Sequence, residues 1–594
     1  MLKKLTAILL AGAMICSFAA CRAAPSGETA TPVQSGPVET VAPVQDGAGE
    51  SGGIVTSLEK IDMSKWQYHE GDDIYYQIGI SYCETPVAGN YETLAIFVPG
   101  AYFSATENGD GTYTCIVNTT ATINGYAAKT APIVMPIETP GYSAMAALTS
   151  YTNVTQYTGE GFVYVHAGCR GRDDGAPAGV TDLKAAIRYL RYNDDVVAGS
   201  AERIFVFGMS GGGAQSALVG ATGDSVLYEP YLEQIGAVQG VSDTVYGSMC
   251  WCPITNLDSA DAAYEWMMGT TRSGLSAEEQ EISDALAAAF AEYINQTGIK
   301  DEDGNVLILE SSESGIYQAG SYYDYMVGVI EKSLNDFLAD TEFPYTVSAS
   351  SKMGRGPGGM GGFGGPGDLN RGAGDVPYGE KDGITRVEAT NVVAGTYKTA
   401  KDYVDFLNTS EAWITYDVAT NTATVTSVEA FVKAFKHASK RLGAFDQLNA
   451  GQGENILFGY GDGKGAHFDA AFFDILKELG NEYASDFASD LRKTDSVGYT
   501  ADQRLSMYTP LYYLLESQKG YRASTPAKYW RIRSGIAQSD TSITTEVNLA
   551  LALMNYDGVE SVDFATVWEQ QHVKAERTGD STTNFINWVH DCLA

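Results

Sequence analysis

The sequence predicts an α/β fold whose mostly parallel sheet is covered on both faces and interrupted by a long, mostly helical insert. Three observations carry this. Short β-branched and aromatic runs alternate with helical stretches from about residue 60 to Pro253. After Pro253 the strand runs give way to helical periodicity. The strand–helix alternation then returns near the C-terminus with "KYWRIRSG" at 528–535.

In order, "DIYYQIGISY" and "ETLAIFVPGAY" read as strands, followed by "APIVMPI", "GFVYVHAG", "RIFVFG" and "VYGSMCWCPI". Between them "VTDLKAAIRYLRYN" has apolar residues at helical spacing. Residues 258–505 form the expected insert, with helices over "SAEEQEISDALAAAFAEYI" and "SVEAFVKAFKHASKRL". Within it, residues 354–367 hold nine glycines in fourteen. No strand feeds that loop and no GK[ST] follows, so it is not a phosphate cradle. "KDEDGNVL" at 300–307 lacks the spacing of acids of a calcium loop and reads as a hairpin turn. The core resumes over 506–594 with the strand "KYWRIRSG", the helix "ITTEVNLALALMNY", the strand "VESVDFATVW" and the helix "TNFINWVHDCL".

The 594 residues exceed what one hydrophobic core usually holds. A net charge of −36 excludes nucleic acid as a partner, because phosphate binding needs a basic face. Residues 1–21 read as an export signal: Lys3 and Lys4 precede an apolar run from Leu5 to Phe18, then Ala19, Ala20 and Cys21. The run is too short to span a bilayer. A Cys after two alanines resembles a lipobox, which makes Cys21 the expected lipidation site and a lipid anchor the expected contact with a membrane. Residues 22–57, rich in Pro, Thr, Ser and Gly, read as a tether, and 58–257 as the first part of the core. Six cysteines remain in the body, and Cys250 and Cys252 read as buried thiols flanking a strand rather than zinc ligands.

The candidate chemistry starts at "GMSGG", 208–212. G-x-S-x-G between a strand and a small-residue helix is a nucleophile elbow, which exposes Ser210 and aims backbone N–H groups at it. A serine hydroxyl needs a base, nearly always histidine. His69 and His166 come too early in the chain, His437 and His467 fall in the insert, and His590 lies in the last helix. His572, in the loop after "VESVDFATVW", is the expected base. The acid is sought in "RSGIAQSDTS". There Gln538 occupies the position where a G-x-x-D pattern would put a carboxylate, and Asp540 follows two residues later. Asp540 is the expected acid, since an amide cannot stabilise an imidazolium as a charge does; Asp258 is the reserve. This chemistry needs no cofactor or metal.

These runs, together with "PIVMPIETPGY", "GMSGGGAQSALVGATGDS", "YEPYL", "CPITNLDSADAAYEW" and "GENILFG", resemble the bacterial tannase and feruloyl-esterase-like group of α/β-hydrolases. The resemblance implies an α/β-hydrolase fold with a lid inserted before the last sheet strands. It implies a secreted serine carboxylic ester hydrolase taking phenolic or aryl esters. By the same likeness the oxyanion donors are the N–H groups of Gly211 and Gly141. Lys440, Glu454 and the acid loop, Gln538 with Asp540, fall where the family holds galloyl hydroxyls. Tannases carry D-x-D where this chain has Gln538 and Asp540. Two other readings stay open: a peptidase on the same fold, and a surface-tethered binding protein with a degraded site, which Gln538 supports.

Overall fold

A computed structural model describes residues 53–312, 315–347 and 395–594. Cys21, the export signal, most of the tether and the glycine-rich loop lie outside these. The described residues belong to one compact unit, Glu50–Ala594. Among them, no helix is long and apolar enough to cross a membrane.

The main sheet has nine strands. They are β1 (Gln67–His69), β2 (Ile74–Ser81), β3 (Thr93–Pro99), β4 (Ile133–Ile137), β5 (Val163–Ala167), β6 (Ile204–Met209), β7 (Gly247–Trp251), β8 (Tyr529–Gly535) and β9 (Ser561–Val567). Their order is β1-β2-β3-β5-β4-β6-β7-β8-β9. The pairs from β5 to β9 are parallel, while β1, β2 and β3 join antiparallel at the other edge.

Both faces of the sheet are buried, and the strand period of two sorts the side chains between them. Ile133, Met135, Ile137, Ile204 and Val206 pack on one face, against Val180, Leu183 and Ile187 of α1 (Ala178–Tyr192) and Ala214 and Leu218 of α2 (Gly211–Ala221). Val134, Phe205, Phe207, Met249 and Trp251 pack on the other, against the C-terminal helix Ser581–Leu593 through Phe585 and Trp588. Burying each such side chain contributes roughly 1.5–3 kcal/mol. The sheet is therefore nearly continuous apolar sequence, as central parallel strands must be.

Strand register assembles the site. Gly208 of β6 lies beside Ile137 of β4 and Cys250 of β7. Trp251 lies beside Arg533 of β8, and Gly535 beside Val567 of β9. The loops after β4, β6, β7, β8 and β9 thus leave the same edge, where open α/β sheets bind ligands.

Between Trp251 and Tyr529 the described residues run outside the main sheet. Helix Ala277–Thr297 starts at a capping box of Ser276 and Glu279, and helix Ser321–Asp340 packs against β9 and meets the first helix where Tyr322 touches Phe290, ring centroids 6.1 Å apart. The region is less helical than its periodicity suggests. Residues Ile414–Asp417 and Thr422–Val425 form a hairpin, and Tyr345–Val347 pairs with Gly395–Tyr397. The helix expected over 427–442 also stops early, spanning Val428–Phe435. Its apolar face, Val428, Phe431, Val432 and Phe435, is buried, and Lys436 then leaves helical geometry and turns inward. "KDEDGNVL" is a turn closed by a bridge between Lys300 and Val306. Cys250 and Cys252 are buried free thiols, one within β7 and one just after it.

Candidate active site

Ser210 follows β6 with φ 61° and ψ −123°, a strained backbone for a residue with a side chain. Only glycine fits around it. A Cβ on Gly208 would lie 2.4 Å from the Gly212 carbonyl oxygen, and one on Gly212 would lie 2.1 Å from that of Ile137. Both contacts are impossible for any other residue, so the tight turn dictates the sequence. The Ser210 N–H donates to the Trp251 carbonyl (2.9 Å), which ties the elbow to β7.

The Ser210 hydroxyl oxygen lies 2.8 Å from His572 Nε2. Gln538 Oε1 lies 2.6 Å from His572 Nδ1. Gln538 is fully buried. Its Nε2 donates to Ser534 Oγ (2.9 Å), Thr541 Oγ1 (3.0 Å) and Glu546 Oε1 (2.8 Å). The amide thus turns its NH₂ toward Glu546 and its oxygen toward the imidazole. That in turn places the imidazole proton on Nδ1 and leaves Nε2 to accept from Ser210.

The oxyanion side is equally crowded. Gly141 has φ 55°, and its carbonyl accepts from Arg172 Nη1 (2.9 Å). A Cβ on Gly211 would lie 2.4 Å from the Tyr142 nitrogen and 3.1 Å from the Gly141 nitrogen. The loop after β4 is thus pressed onto the first turn of α2, whose leading N–H groups have no partner inside the helix. Tyr142 anchors this loop by donating to the Ile254 carbonyl.

The BD-FAE family matches residues 123–298. The crystal structure of Fusobacterium nucleatum tannase is 26% identical, with a TM-score of 0.63 over 88% of this chain and 95% of that one. A tannin acyl hydrolase in complex with ethyl gallate is 28% identical, with a TM-score of 0.60 over 87% and 94%. The native tannin acyl hydrolase from Lactobacillus plantarum is 27% identical, with a TM-score of 0.60 over the same shares. The chain has an α/β-hydrolase fold similar to that of the bacterial tannases. No curated protein sequence matches it.

Asp540 stands 3.8 Å from His572 Nδ1, at ion-pair range and outside hydrogen-bond range. The hydrogen bond at Nδ1 belongs to Gln538. Asp258 sits apart, accepting from Tyr293 (3.2 Å) and Ser259 (3.4 Å); burial pushes its carboxyl up to about 6. Glu454 is buried in the short helix Gly453–Leu457, close enough to raise the already desolvated Tyr142 hydroxyl further. Lys440 is buried with its Nζ 3.8 Å from the centre of the Phe445 ring, and its carbonyl accepts from Arg272.

Residues from the insert grip the loop after β8. Lys436 Nζ donates to the Gln538 carbonyl, and Tyr264 (3.0 Å) and Ser439 (3.1 Å) donate to that of Ser539. Sequence reasoning missed Lys436, Glu546 and Arg172. The one available signal was Glu546, the only acid in the apolar helix "ITTEVNLALALMNY".

Proposed function

We propose that the protein is an exported serine carboxylic ester hydrolase for phenolic esters of the galloyl or feruloyl type. The observation that carries this is the hydrogen-bonded chain from Ser210 through His572 to Gln538 at the loop edge of the sheet. Ser210 Oγ attacks the ester carbonyl while His572 Nε2 takes its proton. The negative oxygen of the tetrahedral intermediate sits against the N–H groups of Gly211 and Gly141. Collapse breaks the bond to the alcohol, which leaves with the proton from Nε2. Water then enters by the same route, giving up a proton to Nε2 and releasing the acid and the free serine.

Gln538 holds the imidazole in the tautomer this needs. Asp540, at 3.8 Å, faces the imidazolium as it forms. Lys440, Glu454 and Asp540 offer opposite charges to the hydroxyls of a phenolic acyl group. Cys21, acylated after export, holds the enzyme outside the cytoplasm on a lipid anchor.

Hydrolysis of methyl gallate, methyl ferulate and p-nitrophenyl acetate tests the reading. The expected result is a kcat/KM at least about tenfold higher for one of the phenolic esters than for methyl benzoate, an effect of the size that paired polar contacts supply. Activity should follow the membrane fraction for the full chain and the soluble fraction for Cys21→Ser. Cleavage of p-nitrophenyl acetate alone would leave an esterase without phenolic preference.

A further inference from the structure

We propose that Glu546 is the working carboxylate of this site, a positioning residue that acts on His572 through the amide of Gln538. The inference rests on Ser210 and His572 being the catalytic pair, and supplies the charge that Gln538 lacks.

Glu546 lies in the first turn of helix Thr544–Met554 and is fully buried. Its Oε1 accepts from Gln538 Nε2 (2.8 Å), Ser534 Oγ (3.0 Å) and Thr541 Oγ1 (3.0 Å). Three donors converging on one oxygen suit a carboxylate that is ionised. Gln538 then spans the gap, with one end of its amide on Glu546 and the other on His572 Nδ1. Donation to an anion draws electron density onto the amide oxygen, and hydrogen bonds in such a chain strengthen one another. The imidazolium formed when His572 takes the serine proton therefore faces an oxygen made more negative by a buried charge. No proton crosses the amide; the Nδ1 proton stays where it is.

A buried carboxylate needs a counter-charge. Lys436 provides it: fully buried, its Nζ donates to the Gln538 carbonyl. Burial pulls its ammonium down and the Glu546 and Asp540 charges pull it back up, which leaves it at about 8. Burial leaves the Glu546 carboxyl raised above the usual carboxylate range, with Lys436 and the hydrogen bonds from Ser534 and Thr541 holding that rise in check. The remaining group nearby is Cys252, whose thiol burial pushes up to about 12, so it stays neutral. The charges facing His572 include Glu546 through Gln538, Asp540 directly, and Lys436 opposing both. A glutamine at the usual acid position is then not a lost function, because the carboxylate has moved one residue deeper.

The test is the titration of His572 by NMR on protein with ¹³C-labelled histidine, a readout independent of turnover. Glu546→Gln, which removes the negative charge, is expected to move the His572 midpoint down by roughly half to one pH unit, and Lys436→Met to move it up. In ester hydrolysis Glu546→Gln should lower kcat about 10–100-fold with KM little changed, and shift the acid limb of the pH profile downward. The exchange Gln538→Glu with Glu546→Gln keeps net charge and bond count while placing the carboxylate on Nδ1. It should restore kcat and raise the midpoint above that of the parent.

A folded Glu546→Gln whose midpoint stays in place, or an exchange variant no better than Glu546→Gln alone, would overturn the proposal. If either single variant fails to fold, the exchange variant decides by the same midpoint. Failure of the underlying reading looks different: Ser210→Ala would then keep its ester hydrolysis, while the titration would still report whether Glu546 reaches His572.

Discussion

Ser210→Ala is expected to lower kcat for ester hydrolysis by about 10⁴–10⁶-fold, with KM within a few-fold of the parent. The variant loses the bond-forming oxygen and nothing else. The Ser210 backbone still donates to Trp251, and the elbow is held by Gly208 and Gly212 rather than by the hydroxyl. Thermal stability should therefore be unchanged or slightly higher, since an alanine sheds a polar group held against His572. Steady-state kinetics beside a melting curve checks both. A tenfold loss or less would mean that the chemistry runs elsewhere.

Gly211→Ala should be the next most damaging change. The new methyl would lie 2.4 Å from the Tyr142 nitrogen, 2.5 Å from the Thr139 carbonyl oxygen and 3.1 Å from the Gly141 nitrogen. Since all three are backbone, no rotamer can relieve the clash, and the loop after β4 must move off α2. That separates the two N–H groups offered to the oxyanion. A loss of about 10²–10³-fold in kcat is expected, the size seen when one such donor is removed. Ser210 and His572 stay in place, so KM for methyl gallate should change much less than kcat. An equal rise in KM would indicate that the loop binds substrate instead.

The fold was legible because its signals are local. The run Ile204–Phe207 followed by glycines and small residues specifies strand, elbow and buried helix within eighteen residues. Nothing comparable marks the insert. Its helix over 428–435 breaks at Lys436 although helical periodicity continues, because a tertiary contact with the Gln538 carbonyl outweighs propensity. The order of Ser210, the loop after β8 and the loop after β9 was readable from chain position. Which residue of "QSD" meets Nδ1 was not. Chemistry favours the aspartate, but the geometry of the turn puts Gln538 at 2.6 Å and Asp540 at 3.8 Å. Glu546 stood out only as the one acid of an apolar helix, and what it meets could not be read for the same reason. Its partners, Ser534, Gln538 and Thr541, are brought to it by a helix turning back under the loop, and no spacing rule encodes that.

The most direct test of the account is peptide mapping after treatment with a p-nitrophenyl phosphonate, on the enzyme body and on His572→Ala. The account predicts a single adduct on Ser210, formed with release of one equivalent of p-nitrophenol and slowed at least about 10³-fold in His572→Ala. An adduct on another residue, or none in a folded protein, would contradict it and favour a tethered binding protein built on a hydrolase fold.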